Sequence, residues 1–191
     1  MKLRADHEAV RARLDALGAG RERTVEQVDS YYDAPHRSFA ETDEALRVRR
    51  VTDLAAGDAD GTGDGGTDTT EAAGTTEARV TYKGPLVDDR SKSRLEHETG
   101  VDDGGTMADV LEALGFSPAA TVEKRRAVYG LDDVTVVLDD VAGLGEFVEV
   151  ELESEAVDAA RERCFDVVRD LGLDPEAGIR TSYLEMLLDG E

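Results

Sequence analysis

The stretch that decides the fold is LDDVAGLGEFVEVELE, residues 138–153. From Phe147 to Glu153 its apolar and acidic residues alternate strictly. Alternation with period two is typical of a β-strand with two unlike faces. One face would be apolar, and the other would carry a row of carboxylates from Glu149, Glu151 and Glu153. Like charges at strand spacing repel one another, so either water solvates that row or positive charge lies against it.

The composition of the chain is strongly acidic. Its 191 residues include 44 Asp and Glu against 22 Lys and Arg, which gives a net charge of −22. Such an excess is typical of adaptation to high salt, where screening weakens the repulsion between surface charges. It argues against nucleic acid as a partner, because that would require clustered positive charge. Only four lysines remain, Lys2, Lys83, Lys92 and Lys124, and their retention indicates that these ammonium groups have a role.

The cysteine content and the hydropathy predict a cytoplasmic protein. Cys164 is the only cysteine, so no intrachain disulfide can form and a reducing compartment is indicated. It shares a predicted helix face with Ala160, Val167 and Leu171, and we expect it in the core rather than as a nucleophile. No apolar run approaches a membrane span, and the first residues do not resemble a signal peptide. The sequence leaves open a homodimer.

Residues 53–78 consist almost entirely of Gly, Asp, Thr, Ala and Glu. Such a composition cannot bury a core, and we predict a disordered insertion in a hairpin loop. The flanking residues 44–50 and 78–85 alternate like strands, and Gly84-Pro85 is expected to close the second strand. Because a long loop adds little closure entropy, residues 1–191 are predicted to form a single domain.

Three stretches share the order strand, helix and Leu-Gly. Their strands are predicted at the N-terminus, at 94–99 and at 147–153, and their helices begin near residues 6, 106 and 156. Each helix is expected to end at a Leu-Gly pair, because glycine is favoured just after a helix C-terminus. Further alternating segments lie at 25–35, 122–131 and 133–141. About eight strands against three helices predict an antiparallel α+β protein.

Several predicted strands carry charged side chains on one face and apolar side chains on the other. The charged sets are Arg47 with Arg49, Lys83 with Thr81, Arg94 with Glu96 and Glu98, and Lys124 with Arg126. These strands could form a sheet with a solvated charged face, or a barrel whose charged face lines the bore. A bore with cations and carboxylates would suit a polyanion bound with a divalent cation, since hard cations take carboxylate and phosphate oxygens together.

Seven segments, in their order along the chain, resemble those of one protein family. They are KLRA (2–5), DSYYDAPHRSFAETDEALRVRR (29–50), TYKGP (81–85), SRLEHETGV (93–101), VEKRRAVY (122–129), LDDVAGLGEFVEVE (138–151) and TSYLEMLL (181–188). Together they resemble the CYTH superfamily, the triphosphate tunnel metalloenzymes, which includes class IV (CyaB-type) adenylate cyclases and thiamine triphosphatases. The resemblance covers nearly the whole chain apart from 53–78. It implies an eight-stranded antiparallel β-barrel, the triphosphate tunnel, with helices packed outside.

The same resemblance implies a set of site residues and a cofactor, Mg²⁺ or Mn²⁺. The phosphate-binding residues that it implies are Arg47, Arg49, Lys83, Arg94, Lys124 and Arg126, together with Arg180 and Ser182 near the tunnel mouth. The acidic residues that it implies for metal binding are Glu96, Glu98, Asp139, Glu149 and Glu151, and the last two are the strongest candidates. The lysines to which it gives catalytic roles are Lys2, Lys83 and Lys124.

The N-terminus departs from the family pattern. Lys2 resembles the lysine of the family's ExExK motif, but both glutamates of that motif would precede Met1. We expect that the start codon is misplaced.

The resemblance leaves three functions open. A cyclase directs the ribose 3′-hydroxyl at the α-phosphate, whereas a triphosphatase directs water at the γ-phosphate. The segments LDDVAGLGEFVEVE and SYLEMLL look more like the CyaB-type branch, which favours an adenylate-cyclase-like enzyme. A triphosphatase acting on thiamine triphosphate or inorganic tripolyphosphate is the second hypothesis. A non-catalytic nucleotide or polyphosphate-binding protein is the third.

Overall fold

The structure is a computed structural model that describes residues 1–54, 75–88, 93–154 and 156–190. Its strands form an eight-stranded sheet with the order β1-β8-β7-β6-β2-β3-β4-β5. The strand bounds are β1 Lys2–Arg4, β2 Gly20–Asp33, β3 Ala45–Asp53, β4 Thr76–Asp88, β5 Ser93–Val101, β6 Ser117–Leu131, β7 Val134–Val141 and β8 Gly145–Glu151. The predicted α+β class with eight antiparallel strands and packed helices is confirmed.

The chain forms four α-helices in its described part, one more than the sequence predicted. Their bounds are α1 His7–Ala16, α2 Gly104–Ala113, α3 Val157–Asp170 and α4 Tyr183–Leu188, and a short 3-10 helix spans Pro175–Ala177. The six residues of α4 are too few for a helical period to show in the sequence. Its start is fixed by a capping box, in which Ser182 and Glu185 satisfy each other's backbone N–H groups. Within the described ranges, no helix has the length and hydropathy needed to cross a membrane.

Strands β3 and β4 flank the predicted insertion. Strand β3 reaches Asp53 and β4 begins at Thr76, while residues 55–74 lie outside the described residues, so the predicted disorder stays a prediction. The prediction that Gly84-Pro85 ends the strand is wrong, because β4 continues to Asp88 with a register shift between Lys83 and Leu86. Because proline has no N–H to donate, it removes one hydrogen bond between the two strands. The strand can still continue beyond it.

The three repeated Leu-Gly stops are confirmed as helix C-terminal motifs of one kind. Gly18, Gly115 and Gly172 follow α1, α2 and α3 with φ angles of 75°, 90° and 79°. In each case the glycine N–H bonds back three residues and the next N–H bonds back five, over 2.9–3.1 Å. This double hydrogen bond is the Schellman motif, whose left-handed residue is normally glycine.

The described chain divides into two compact units. Among the described residues, the terminal unit contains Met1–Val25, Leu54, 124–154 and 156–190, and the central unit contains Glu26–Asp53, 75–88 and 93–123. Each unit has its own apolar core. In the terminal unit, Leu14, Val136, Val148 and Val167 are completely buried, whereas the core of the central unit comprises Tyr32, Ala34, Phe39, Leu46, Val48 and Leu111.

Cys164 lies in the core of the terminal unit, as the sequence predicted. Burial raises the pKa of its thiol, so the reactive thiolate is disfavoured at neutral pH.

Candidate functional site

The charged face of the terminal unit is organised around one buried aspartate. Asp139 on β7 has no exposed surface. Arg126, opposite it on β6, donates from Nε to Oδ1 over 2.7 Å and from Nη2 to Oδ2 over 2.6 Å. The Oδ2 atom also accepts from Lys124 Nζ at 3.4 Å and from the Tyr183 hydroxyl at 3.0 Å. Three donors from two different elements therefore converge on one carboxylate.

The charged groups in this cluster favour one another's ionised forms. Burial alone would raise the pKa of Asp139, but the hydrogen bonds from Arg126 and the charge of Lys124 hold it below its usual value. Burial likewise opposes the charge of Arg126, yet the hydrogen bond to Asp139 and the charges of Asp139, Glu149 and Glu151 raise the Arg126 pKa. Both partners are therefore ionised at neutral pH, as buried ion pairs must be to offset desolvation.

The glutamate pair that prompted the metal hypothesis lies next to this cluster. Glu149 Oε2 accepts from Arg126 Nη2 at 2.7 Å, and the charge of the exposed Glu151 also acts on Arg126. Within the described ranges, no three His, Cys, Asp or Glu side chains are grouped so as to hold a metal ion. Mg²⁺ is commonly bound by only one or two carboxylates together with substrate phosphates. Glu149 and Glu151, two residues apart on β8, fit a cation whose remaining ligands come from substrate.

Helix α4 brings an aromatic ring to the same cluster. The Lys2 ammonium donates to the Thr181 carbonyl and lies 4.3 Å from the Tyr183 ring centroid, and Lys124 Nζ lies 5.0 Å from it. The ring packs edge-on against Phe147 with centroids 5.0 Å apart. Burial and the negative charges of Asp139 and Glu149 raise the Tyr183 pKa, so its hydroxyl stays a proton donor. Two predicted lysines thus share one contact residue.

The central unit contains a second buried aspartate with the same type of ion pair. Arg49 on β3 donates from Nε and Nη2 to the two carboxylate oxygens of Asp29 on β2, over 2.6 and 2.7 Å. Arg47 Nη1 lies 3.7 Å from Asp29 Oδ2, and Gln27 Nε2 donates to the same oxygen over 3.2 Å. Arg47 and Arg49 therefore share one carboxylate, and both were predicted as phosphate-binding residues.

The glutamates of β5 are engaged by residues of β4. Glu98 accepts from the Thr81 hydroxyl at 2.8 Å and from Arg79 Nη1 at 3.1 Å, and these two bonds lower its pKa. Glu96 forms an ion pair with Lys83 across 3.1 Å. Both glutamates proposed for metal binding in the central unit are thus paired with a cation of the neighbouring strand.

Two predicted phosphate-binding residues lie apart from these clusters. Arg94 contacts Asp43, donating to its carbonyl and to its carboxylate over 3.2–3.3 Å. Arg180 is exposed in the segment between the 3-10 helix and α4.

The sequence reasoning assigned no role to Asp29 or Tyr183, although both hold a predicted cation. The available signal for Asp29 was its alternation with Gln27 on β2, and for Tyr183 the Ser-x-x-Glu capping pattern just before an apolar run.

Comparison with known protein families matches residues 1–183 to the family described as the CYTH domain. This chain belongs to the CYTH family. The CYTH chain is 34% identical over 163 residues to a protein of Methanocaldococcus jannaschii provisionally named an adenylate cyclase, covering 84% of this chain and 80% of the relative.

Solved structures similar to this CYTH protein confirm its fold. The PH1819 protein from Pyrococcus horikoshii OT3 is 32% identical and superposes with a TM-score of 0.72, covering 100% of this chain and 97% of that one. HpAC1 from Hippeastrum is provisionally named an adenylyl cyclase and described as having a dominant triphosphatase activity. It shares the fold at 17% identity with a TM-score of 0.65, covering 100% of this chain and 95% of that chain. The predicted CYTH tunnel fold is thus confirmed.

Proposed function

We propose that this CYTH protein is a metal-dependent enzyme that binds a triphosphate and, like a class IV adenylate cyclase, converts ATP into cyclic AMP and pyrophosphate. The observation that carries the proposal is the pair of buried aspartates, Asp139 and Asp29, that hold Arg126 and Arg49 by bidentate hydrogen bonds. The desolvation cost of burying an ion pair can exceed the attraction between its charges. A role other than stability therefore explains why such pairs are kept. Fixing guanidinium groups to receive phosphate is such a role, because their planar donors match phosphate oxygens.

Both arginines keep donors for a ligand. Their Nε and Nη2 atoms bind the aspartates, and no residue in the described part of the chain accepts a hydrogen bond from either Nη1. A guanidinium has five N–H donors, two of them on Nη1. The aspartates therefore fix the orientation of each arginine while its remaining donors can bind phosphate oxygens.

The predicted lysines would supply point charges to bound phosphate groups. Lys124 is held by Asp139 at 3.4 Å and Lys83 by Glu96 at 3.1 Å. A triphosphate carries several negative charges, and each charge-assisted contact stabilises it by about 1.5–3 kcal/mol. In catalysis, such contacts lower the barrier to the extent that they strengthen as charge moves onto the leaving phosphate.

Glu149 and Glu151 would hold the cation, with phosphate oxygens completing its ligands. When bound, Mg²⁺ or Mn²⁺ would supply Lewis-acid chemistry that withdraws charge from the phosphates. Arg126, hydrogen-bonded to Glu149 over 2.7 Å, would keep that carboxylate oriented.

In the cyclase reaction, the ribose 3′-oxygen forms a bond to the α-phosphorus while the bond from the α-phosphorus to the bridging oxygen breaks. The hydroxyl proton passes to solvent water, and pyrophosphate leaves with the bridging oxygen. The name of the Methanocaldococcus jannaschii relative supports ATP as the substrate. Within the terminal unit, Arg126 and Lys124 would stabilise the negative charge that develops on the pyrophosphate leaving group.

Triphosphate hydrolysis is the second candidate function. It is favoured by the triphosphatase activity described for HpAC1, which has the same fold. The phosphate-binding residues would be unchanged, and water rather than the ribose hydroxyl would be the nucleophile.

The product decides between the two reactions. ATP, thiamine triphosphate and inorganic tripolyphosphate are each incubated with the protein and Mg²⁺ or Mn²⁺, and the products are followed by phosphorus NMR. Cyclic AMP with pyrophosphate is the expected result, and orthophosphate release would establish the triphosphatase. Binding without turnover of any substrate would overturn the enzyme proposal in favour of a binding protein. Arg126→Gln should lose turnover, whereas Arg163→Gln, whose partners Asp132 and Asp133 are exposed, is the matched control.

A further inference from the structure

Arg79 on β4 is a cation to which neither the spacing of charged residues nor the family resemblance assigned a role. In the sheet it lies directly opposite Arg49 on β3 and Gly100 on β5. Residues directly opposite each other on antiparallel strands point to the same face, with Cβ atoms about 4.5–5.5 Å apart. Two arginines therefore lie side by side in the central unit, on the face that also carries Arg47 and Lys83.

Each of these two arginines is held by a carboxylate from the strand on its outer side. Arg49 binds Asp29 of β2 over 2.6 and 2.7 Å, and Arg79 Nη1 donates to Glu98 Oε1 of β5 over 3.1 Å. Like charges directly opposite each other on neighbouring strands repel. Within the described ranges no carboxylate bonds to both arginines, so no shared counterion offsets the repulsion between them.

Both guanidinium groups keep N–H donors for a ligand. A guanidinium has five such donors. Glu98 accepts from Nη1 of Arg79, and none of the described residues accepts a hydrogen bond from its Nε or Nη2. Arg49 uses Nε and Nη2 for Asp29 and keeps its Nη1 donors. The Arg79 side chain is 52% exposed and that of Arg49 is 22% exposed, so an anion from solvent can reach both.

The surroundings of Arg79 leave room for such an anion. Apart from its chain neighbours, a methyl group at Gly100 would meet only one described atom within 4 Å, the Ala78 carbonyl oxygen at 3.9 Å. Glu77 is the nearest carboxylate along β4 on the same face, and within the described ranges it forms no ion pair with Arg79. The positions opposite Arg79 are thus an arginine and a glycine, and neither excludes a phosphate group.

We propose that Arg79 and Arg49 together bind one phosphate group of the substrate, so that Arg79 is a phosphate-binding residue and Glu98 positions it. The site depends on the proposed binding of a triphosphate, to which it adds a contact that the family resemblance does not supply. A phosphate group between the two guanidinium groups would accept hydrogen bonds from both. It would also be the shared counterion that offsets their repulsion.

The test is isothermal titration calorimetry of the full chain with inorganic tripolyphosphate, at constant ionic strength and with a metal chelator present so that metal-dependent turnover cannot occur. Arg79→Gln should weaken binding about tenfold, since a charge-assisted contact is lost. Arg50→Gln is the matched control and should weaken binding much less. It removes the same charge from the position next to Arg49, where the side chain points to the opposite face of the sheet.

A second variant separates a specific contact from a general effect of charge. Arg79→Lys keeps the positive charge but not the planar donors, so its affinity should lie between those of wild type and Arg79→Gln. The ion pair of Arg79 with Glu98 is exposed and contributes little to stability. The melting temperatures of both variants without ligand should therefore stay close to that of wild type.

Two results would overturn this site while leaving the proposed enzyme activity intact. They are an unchanged affinity of Arg79→Gln, and equal weakening by Arg79→Gln and Arg50→Gln. Absence of tripolyphosphate binding by the wild type, with chelator and again with Mg²⁺, would overturn both the site and the proposed function. Binding that weakens as expected, in a protein that turns over no triphosphate, would support the site and refute only the enzyme activity.

Discussion

The two buried ion pairs are alike in geometry but differ in their surroundings. In both units an aspartate binds Nε and Nη2 of an arginine on the adjacent strand. Asp139 in the terminal unit is 0% exposed and also binds Lys124 and the Tyr183 hydroxyl. Asp29 in the central unit is 4% exposed, and the cations that it binds, Arg47 and Arg49, are 14% and 22% exposed. Arg126 is similar to them at 19%, so the cation that differs is Lys124, which is 5% exposed.

This difference indicates that the two ion pairs have different roles. A charge that loses its partner in a dry interior cannot be solvated, whereas a partly exposed guanidinium can recruit water. The terminal pair should therefore matter most for stability and for orienting Glu149. The central pair, in which both cations that Asp29 binds are partly exposed, should matter more for capturing the ligand.

The largest expected effect is on stability. Asp139→Asn should lower the free energy of unfolding by about 3–5 kcal/mol, because Arg126 and the 5% exposed Lys124 lose the negative charge that they share. Asp29→Asn should cost less, about 1–3 kcal/mol, since water can reach Arg49. Asp132→Asn, in a surface pair where Asp132 is 78% exposed, should cost about 0–1 kcal/mol. Urea unfolding at constant salt measures all three, and equal losses for Asp139 and Asp29 would contradict the comparison.

The next effect concerns the two glutamate pairs. Glu149→Gln with Glu151→Gln should reduce metal-dependent turnover by about a hundredfold or more, since even residues that only support metal ligands cost 10–100-fold. The fold should be kept, because removing like charges from one face relieves repulsion. Glu96→Gln with Glu98→Gln is the control, and a smaller loss is expected because their carboxylates already bind Lys83, Arg79 and Thr81. A larger loss in the control would place the metal in the central unit.

A smaller effect separates Lys83 from Arg94, which the family resemblance groups together. Lys83→Ala should weaken tripolyphosphate binding about tenfold to a hundredfold. The thermal stabilisation produced by tripolyphosphate should shrink, while the melting temperature without ligand changes little, since Lys83 is one-third exposed. Arg94→Ala should leave that stabilisation nearly unchanged, because Arg94 binds Asp43 in the segment before β3, whereas Lys83 pairs with Glu96 within the sheet. Melting curves with and without tripolyphosphate provide the measurement, and identical behaviour of the two variants would refute this assignment.

The smallest effect is a pH dependence at the surface of the central unit. Hydrogen bonds from Thr42, Tyr82 and Arg37 lower the pKa of Glu44 from 4.5 to about 2. A carboxylate with a depressed folded-state pKa stabilises the protein fully above its unfolded value and loses that contribution as pH falls through the folded value. The stability difference between wild type and Glu44→Gln should therefore be constant above about pH 5 and decrease between pH 4.5 and 2. A carboxyl carbon titration by NMR measures this pKa, and a midpoint near 4.5 would exclude the effect.

The strands and their faces were predictable because period-two alternation is a local property of the sequence. The same alternation placed Lys124 with Arg126 and Arg47 with Arg49 on shared strand faces. Their phosphate-binding role is implied by the family resemblance and stays a proposal. The Leu-Gly helix ends were predictable for a related reason, since the left-handed conformation narrows the choice of residue.

The partners of these cations were not predictable. Asp29 is one of 44 acidic residues, and only the pairing of β2 with β3 shows that it binds Arg49. Asp43 reaches Arg94 from a residue with a positive φ of 52° in the segment before β3. Tyr183 reaches Asp139 across 44 positions of sequence. Each of these contacts joins residues from different parts of the chain. The spacing of residues along a single strand gives no information about such contacts.

The three Schellman motifs also allow the cost of a left-handed backbone conformation to be compared at different sites of one protein. The φ angles of their glycines agree within 15°, but the space around each glycine differs. An alanine methyl at Gly18 would meet no described atom within 4 Å, whereas at Gly115 it would lie 3.4 Å from Pro35 Cβ. Gly18→Ala should therefore report only the cost of the left-handed conformation, about 1–2 kcal/mol, and Gly115→Ala should report that cost together with the effect of a new van der Waals contact with Pro35. The Gly18→Ala variant thus serves as the reference for Gly115→Ala, in the same protein, the same solvent and at the same high net charge.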